Sequence, residues 1–262
     1  MSSLLLNLLF PPRCAGCDEL IPVAEWRRGE ECLCRECRAV WELAKLAKCT
    51  ECGEAMVDCR CMPRLLEESG MQTLRRLVAY GREEDQRSVV DRLLYHVKDR
   101  HVIAYERFLA AQLAPPVSEE MYHRGWFLKK PDGSALFETV VTYCPRSRGK
   151  TAQAGTDQSA RIARHLAKLL EVPYAPLLAR RDNIEQKKLN GAQRQAHAVK
   201  SYRLRRGASV RVKRVILVDD IVTTGATMAA CTRVLLDGGA LSVLGVTAAQ
   251  VNRKKEKKSK RT

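Results

Sequence analysis

Apolar positions follow two different rhythms along the chain. Between residues 83 and 113 they recur three and four apart, at Val89, Val90, Leu93, Leu94, Val97, Ile103, Phe108, Leu109 and Leu113, which is the spacing of amphipathic helices. Pro115 and Pro116 predict the end of that helical region. Ahead of it, Arg75–Tyr80 reads as a short strand. Residues 118–137 are polar, with Gly125 and the run Pro131-Asp132-Gly133, and predict a surface loop or hairpin.

From Glu138 onward short β-branched runs alternate with helical spacings. Thr139–Tyr143 predicts a strand, and Gln158–Leu170 a helix with Ile162, Leu166, Leu169 and Leu170 on one face. Tyr174–Leu178 offers a further strand, and Arg180–Lys200 is polar and rich in Gln, Lys and Arg. Arg214–Val218 is the clearest strand, an unbroken apolar run after its first residue that suits burial on both faces. Thr227–Leu236 then predicts a helix closed by Gly238 and Gly239, and Leu241–Thr247 a last strand. Strands alternating with helices imply an α/β fold, a parallel sheet flanked by helices on both faces.

Composition narrows the class. The 262 residues are 45% hydrophobic, which excludes a disordered or collagen-like chain. Apolar runs stop well short of the roughly 18–20 residues that span a bilayer, so no membrane insertion is expected. Met1–Phe10 lacks a basic start and a small-residue cleavage site, and Pro11-Pro12 closes its apolar stretch, so the chain reads as cytoplasmic. With 46 Lys and Arg against 30 Asp and Glu the formal charge is +16. Such a balance suits an anionic partner. Residues 253–262 carry seven of the basic groups and read as a solvated, disordered tail.

Cysteine placement divides the chain again. Nine of the 11 cysteines lie before residue 62, and eight of these form pairs: Cys14 with Cys17, Cys34 with Cys37, Cys49 with Cys52, and Cys59 with Cys61. A two-residue spacer lets both sulfurs of a tight turn face one ion, and two such turns complete a four-thiolate zinc site. In a reducing cytosol this pattern favours metal over disulfides. One or two structural zinc ions are expected. The simplest arrangement joins the first two pairs and the last two; the spacing also allows an interleaved arrangement. Cys32 is left spare, or stands in for Cys34. The organisation predicted is therefore a Cys-rich module over 1–63, a larger α/β domain over 64–252, and the tail.

The chemistry concentrates in Val215–Thr227. A buried strand delivers Asp219 and Asp220 to the carboxyl edge of the sheet, where α/β proteins bind ligands. Thr223, Thr224, Gly225, Ala226 and Thr227 follow as a loop that opens into a helix. Its backbone N–H groups and the helix dipole make an anion site, and Gly225 permits a positive φ or close approach. Anion site and paired carboxylates together suggest a phosphorylated sugar.

This segment resembles the 5-phosphoribosyl-1-pyrophosphate (PRPP) signature of type I phosphoribosyltransferases. With the cysteine pairs, the chain resembles the ComF family of late-competence proteins, which carry an amino-terminal zinc-binding region. Leu8–Cys17 is similar to the family's opening, and Leu94–Asp99 with Lys98 to its helical Lys motif. Residues 141–147 with 155–159, and then Arg181, Gln186 and Leu189, are similar to later family stretches. The resemblance implies that Asp219 and Asp220 hold the ribose hydroxyls and Thr223–Thr227 the 5′-phosphate. It implies that Tyr143, Cys144, Pro145, Arg146, Ser147 and Arg148 face the pyrophosphate, with Mg²⁺ bridging it to the sugar. The chain departs from the family at Tyr143, Thr156 and His197. Cys144 has no His–Asp pair beside it in sequence and reads as a packed thiol. Two functions follow from the resemblance. One is phosphoribosyl transfer to an unidentified acceptor, linked to DNA uptake; the other is a PRPP-responsive adaptor for single-stranded DNA or competence-machinery proteins.

Overall fold

A computed structural model describes residues 11–25, 32–81, 88–99, 102–146, 157–181 and 201–251. Four parallel strands form the main sheet in the order β1-β6-β5-β2: β1 (Thr73–Tyr80), β2 (Thr139–Tyr143), β5 (Arg214–Val222) and β6 (Ser242–Val251). A separate antiparallel ribbon pairs β3 (Leu178–Arg180) with β4 (Tyr202–Leu204). The helices are α1 (Arg35–Lys45), α2 (Arg64–Glu67), α3 (Val89–Asp99), α4 (Ile103–His123), α5 (Gln158–Leu169) and α6 (Ala226–Asp237).

Both sheet faces are covered, as the unbroken apolar run of β5 requires. Ile216 and Val218 pack with Leu93, Phe108, Leu113 and Leu166 on one face. Val215 and Leu217 pack with Leu66, Met228, Cys231 and Leu235 on the other. Pairing carries β5 past Val218 and β6 past Thr247, because Ile221 opposite Ala249 and Val222 opposite Gln250 continue the parallel ladder.

The structure corrects the predicted end at the two prolines. Pro115 and Pro116 lie inside α4, which runs on to His123. Proline costs the helix its N–H bonds at those two positions. Beyond them, however, Val117, Glu120 and Met121 are buried, so tertiary packing holds the second half. The polar character of residues 118–123 has its own use there. Glu120, 3% exposed, accepts from Arg60 at 3.0 Å and Arg124 at 2.6 Å and lies 4.0 Å from buried Arg75 of β1. The hairpin expectation holds further on, where Lys129 bridges Ala135.

Tyr174–Leu178 is likewise not one strand. Tyr174 makes a single parallel bridge to Val141, and β3 starts only at Leu178. Pro176, between these points, lacks the N–H group a ladder needs. Helix α1 was not anticipated. Its buried face presents Cys37 and Trp41, and Trp41 meets Phe108 of α4 edge-on at 5.6 Å. Among the described residues no helix is long and apolar enough to cross a membrane.

Candidate functional site

The amino-terminal cysteines fold the same turn twice. Cys14 N–H donates to Glu19 O at 2.8 Å and Asp18 N–H to Cys14 O at 2.8 Å; Cys49 N–H donates to Glu54 O at 2.8 Å and Gly53 N–H to Cys49 O at 2.9 Å. Each turn places Cys-x-x-Cys sulfurs together, and the chain then brings up the second pair. The sulfurs of Cys14, Cys17, Cys34 and Cys37 lie within 4.8 Å of one another, as do those of Cys49, Cys52, Cys59 and Cys61. The open choice between arrangements is thereby settled for the sequential one. Cys32 is buried and belongs to neither group.

Both groups fit a tetrahedral ion. Cys17 and Cys34 sulfurs are 3.8 Å apart and those of Cys52 and Cys59 3.5 Å. A zinc–sulfur bond of about 2.3 Å gives a tetrahedral edge of about 3.8 Å. Backbone N–H groups of Gly16 and Cys34 point at Cys14 Sγ at 3.3 and 3.2 Å. Burial opposes the Cys14 thiolate, but those N–H groups outweigh it and lower its pKa. Cys49, buried yet faced by the N–H groups of Cys52 and Glu51, is lowered to about 7. Burial and the neighbouring sulfurs push Cys34 up to about 12 and raise Cys37 and Cys61 as well. A cation among them would stabilise all four as thiolates, and zinc is compatible with both sets.

The second constellation sits at the carboxyl end of β5. Asp219 Oδ1 accepts from the Asp220 N–H at 3.0 Å and from Ser159 Oγ at 3.2 Å. Asp220 Oδ1 accepts from the Ile221 N–H at 2.9 Å, while its Oδ2 is paired with the Arg146 guanidinium. Burial, then the Asp220 carboxylate, push the pKa of Asp219 well up. A hydrogen-bond donor or a cation brought to this pair would lower that pKa again. Asp157, at the mouth of α5, accepts from the Arg146 N–H at 3.0 Å. Burial raises its pKa against the pull of Arg146. Asp157 and Ser159 enter the sequence reading only as part of a family stretch; their one local signal is the Asp-x-Ser start of a helix.

Beyond the carboxylates the chain turns through Thr223, which is exposed, and Thr224, whose Oγ1 accepts from the Ala226 N–H at 3.3 Å. Gly225 has φ +79° and is the residue from which α6 starts; Thr227 is exposed on the first turn. The first N–H groups of a helix have no partner within it, and three residues separate this helix from the strand that carries the two carboxylates, an arrangement that suits an anion.

The β2 side is divided. Tyr143 is half-buried and stacks on Tyr174 at 6.4 Å. Cys144 and Pro145 are buried. Burial, then the Cys231 thiol, push the Cys144 pKa well up, which fits a packed thiol and no nucleophile. Arg146 is brought to Asp220. Ser147, Arg148, Thr156, Gln186, Leu189, His197, the opening at 8–10 and the tail lie outside the described residues.

Sequence comparison finds a match to the phosphoribosyl transferase domain over residues 156–262. No curated protein matches the chain. Among solved structures, the chain is similar to a hypoxanthine phosphoribosyltransferase from Staphylococcus aureus at 14% identity, covering 55% of this chain and 62% of that one, with a TM-score of 0.34. An adenine phosphoribosyltransferase is 17% identical over 55% of this chain and 70% of its own, at a TM-score of 0.34. The hypoxanthine phosphoribosyl transferase of Trypanosoma cruzi is 14% identical over 57% and 74%, at 0.35. The chain thus spans less than two thirds of the Staphylococcus aureus protein. Residues 156–262, holding the paired carboxylates and the glycine loop, match a phosphoribosyl transferase domain, and the fold around them is a type I phosphoribosyltransferase-like parallel sheet flanked by helices, with a Cys-rich amino-terminal module compatible with zinc.

Proposed function

We propose that the chain binds PRPP with Mg²⁺ and transfers its phosphoribosyl group to an acceptor, as a cytoplasmic ComF-like protein linked to DNA uptake. The observation that carries this reading is the adjacency of Asp219 and Asp220 to the Gly225 loop at the start of α6. In this reading the N–H groups and hydroxyls of Thr223–Thr227 hold the 5′-phosphate. Asp219 and Asp220 accept from the ribose hydroxyls, donors that draw the raised pKa of Asp219 back down. Arg146, now on Asp220, exchanges that partner for the pyrophosphate. Bound Mg²⁺ would neutralise charge on the departing pyrophosphate. The residues act by positioning and electrostatics, with no covalent step on the protein. Thr223 has no proton-accepting carboxylate to offer an acceptor. The eight paired cysteines hold two structural zinc ions in this reading.

Calorimetry of the zinc-loaded protein with PRPP and Mg²⁺ tests the site. Saturable binding, lost in Asp219→Asn/Asp220→Asn, is expected, followed by pyrophosphate release once an acceptor is supplied. No binding to folded protein would sink the reading.

A second reading, an adaptor for single-stranded DNA or competence-machinery proteins, draws on one surface. Arg161, Arg164 and Lys168 line α5, and with Arg107 of α4 they surround His165, whose pKa burial and these cations depress. Phosphate contacts there would give single-strand affinity that falls steeply with salt. The charge reversal Arg164→Glu/Lys168→Glu is then expected to flatten the salt dependence, and an unchanged slope argues against this surface.

A further inference from the structure

The second cysteine group and the phosphate loop are neighbours. A cleft of about 480 Å³ lies between them, lined among others by Thr50 and Glu51 of the second knuckle, Arg64 of α2, Thr223 and Thr224 of the loop, and Gln250 near the end of β6. Two bridges of protein connect the same places. Arg76, on β1 and 2% exposed, donates from one guanidinium nitrogen to the carbonyl oxygen of Cys61 and from another to Gln250 Oε1. Just downstream of Cys61, fully buried Leu66 lies where a side chain at Gly225 would go; a Cβ there would come within 2.9 Å of Leu66 Cγ.

The first cysteine group has different attachments. Gly16, inside its first knuckle, packs near Val89 and accepts from Arg92 of α3 at 2.9 Å. Trp41, on the helix that carries Cys37, packs on α4. None of these described contacts reaches the loop.

We propose that metal at Cys49, Cys52, Cys59 and Cys61 and a phosphosugar at Thr223–Thr227 are linked, each raising the affinity for the other, with Arg76 as the positioning residue between them. The inference rests on the phosphosugar site proposed above. A metal ion held by Cys59 and Cys61 sets the backbone of that knuckle, and so sets where the Cys61 carbonyl meets Arg76. The Arg76 Nε is already buried without a partner, so an acceptor that moves away leaves a further buried donor unpaired. A shift of Arg76 is passed to Gln250 and to the cleft. A shift of the segment after Cys61 is passed through Leu66 to Gly225. Packed elements transmit such displacements because they leave little room for gradual deformation.

The zinc affinity of each site in the full chain is measured by competition with a chromogenic chelator, with and without saturating PRPP and Mg²⁺. Couplings of this kind run about 5–150-fold, and linkage requires the same factor in both directions. The expected result is at least a fivefold rise in zinc affinity at one of two sites. The site is identified by its absence from Cys49→Ser/Cys52→Ser, whose PRPP affinity falls by the same factor. PRPP also binds zinc in solution, so Asp219→Asn/Asp220→Asn serves as the control and should show no rise. Arg76→Lys, which reaches one acceptor at a time, should keep both zinc ions and PRPP binding yet lose the coupling. Should that variant not fold, Gln250→Ala cuts the same bridge at a half-exposed residue and carries the same readout. PRPP binding with unchanged zinc affinities overturns the linkage and leaves the phosphosugar reading standing. Absence of PRPP binding overturns both. Coupling that survives intact in Gln250→Ala and Arg76→Lys overturns the role of Arg76.

Discussion

Gly225 shows what a single position at this site demands. It has φ +79°, and Leu66 fills the space a side chain would need. Gly53, at φ +78°, has nothing within 4 Å of the same point. A left-handed alanine costs about 1–2 kcal/mol from backbone strain alone. Gly53→Ala should therefore lose about that much in urea unfolding. Gly225→Ala should lose more, because Leu66 must also move, and should lose PRPP binding with it. Equal losses for the two would mean that Leu66 does not constrain the loop. The need for a glycine at Gly225 was legible from its neighbours in sequence. Leu66 was not, since a long stretch of chain separates the two. The same holds for Ser159 on Asp219 and Arg146 on Asp220: each partner is an ordinary residue until the strands bring them together.

Elements show a different balance between local preference and packing. The strand β2 and the helices α5 and α6 follow their apolar spacing closely. Helix α4 overrides two prolines, because its far half buries an apolar face and a charged one. The pairing of α4 with α5 also buries Glu106, which is fully inaccessible and ion-paired with Arg161. Burial raises the Glu106 pKa from 4.5 to about 7, against the pull of Arg161. Between those two values the folded protein keeps a proton that the unfolded chain has released. This contribution is therefore favourable at acid pH and is lost as pH rises from 4.5 to about 7. At about 1.4 kcal/mol per pKa unit, its upper bound is about 3.5 kcal/mol. Glu106→Gln should flatten the change in unfolding free energy between pH 5 and pH 7.5. An unaltered difference between those two pH values would place the titration elsewhere.

At the scale of the molecule the cysteine module and the sheet share a core. Cys14, Cys34, Cys37 and Trp41 belong to the same buried cluster as Phe108, Ile216 and Val246. Zinc-loaded protein should carry two equivalents by elemental analysis. Stripping them should expose Trp41, seen as red-shifted fluorescence, and lower the melting temperature of the whole chain. Structural zinc is worth about 10 kcal/mol or more in small sites, so a chelator that leaves fluorescence and melting unchanged would contradict a structural role. By itself the sequence determined what short-range chemistry controls: the cysteine knuckles, the run of β5, the carboxylate pair and the loop that follows. Each of these depends on residues within one turn or one strand, so spacing alone encodes it. Only the tertiary structure decided which knuckles come together, because the spacings allow more than one arrangement of the same pairs. Only it carried α4 through Pro115 and Pro116, extended β5 and β6, and put Arg76 between Cys61 and Gln250. Those outcomes depend on buried contacts between distant segments, whose energies outweigh local preference and leave no periodic trace along the chain.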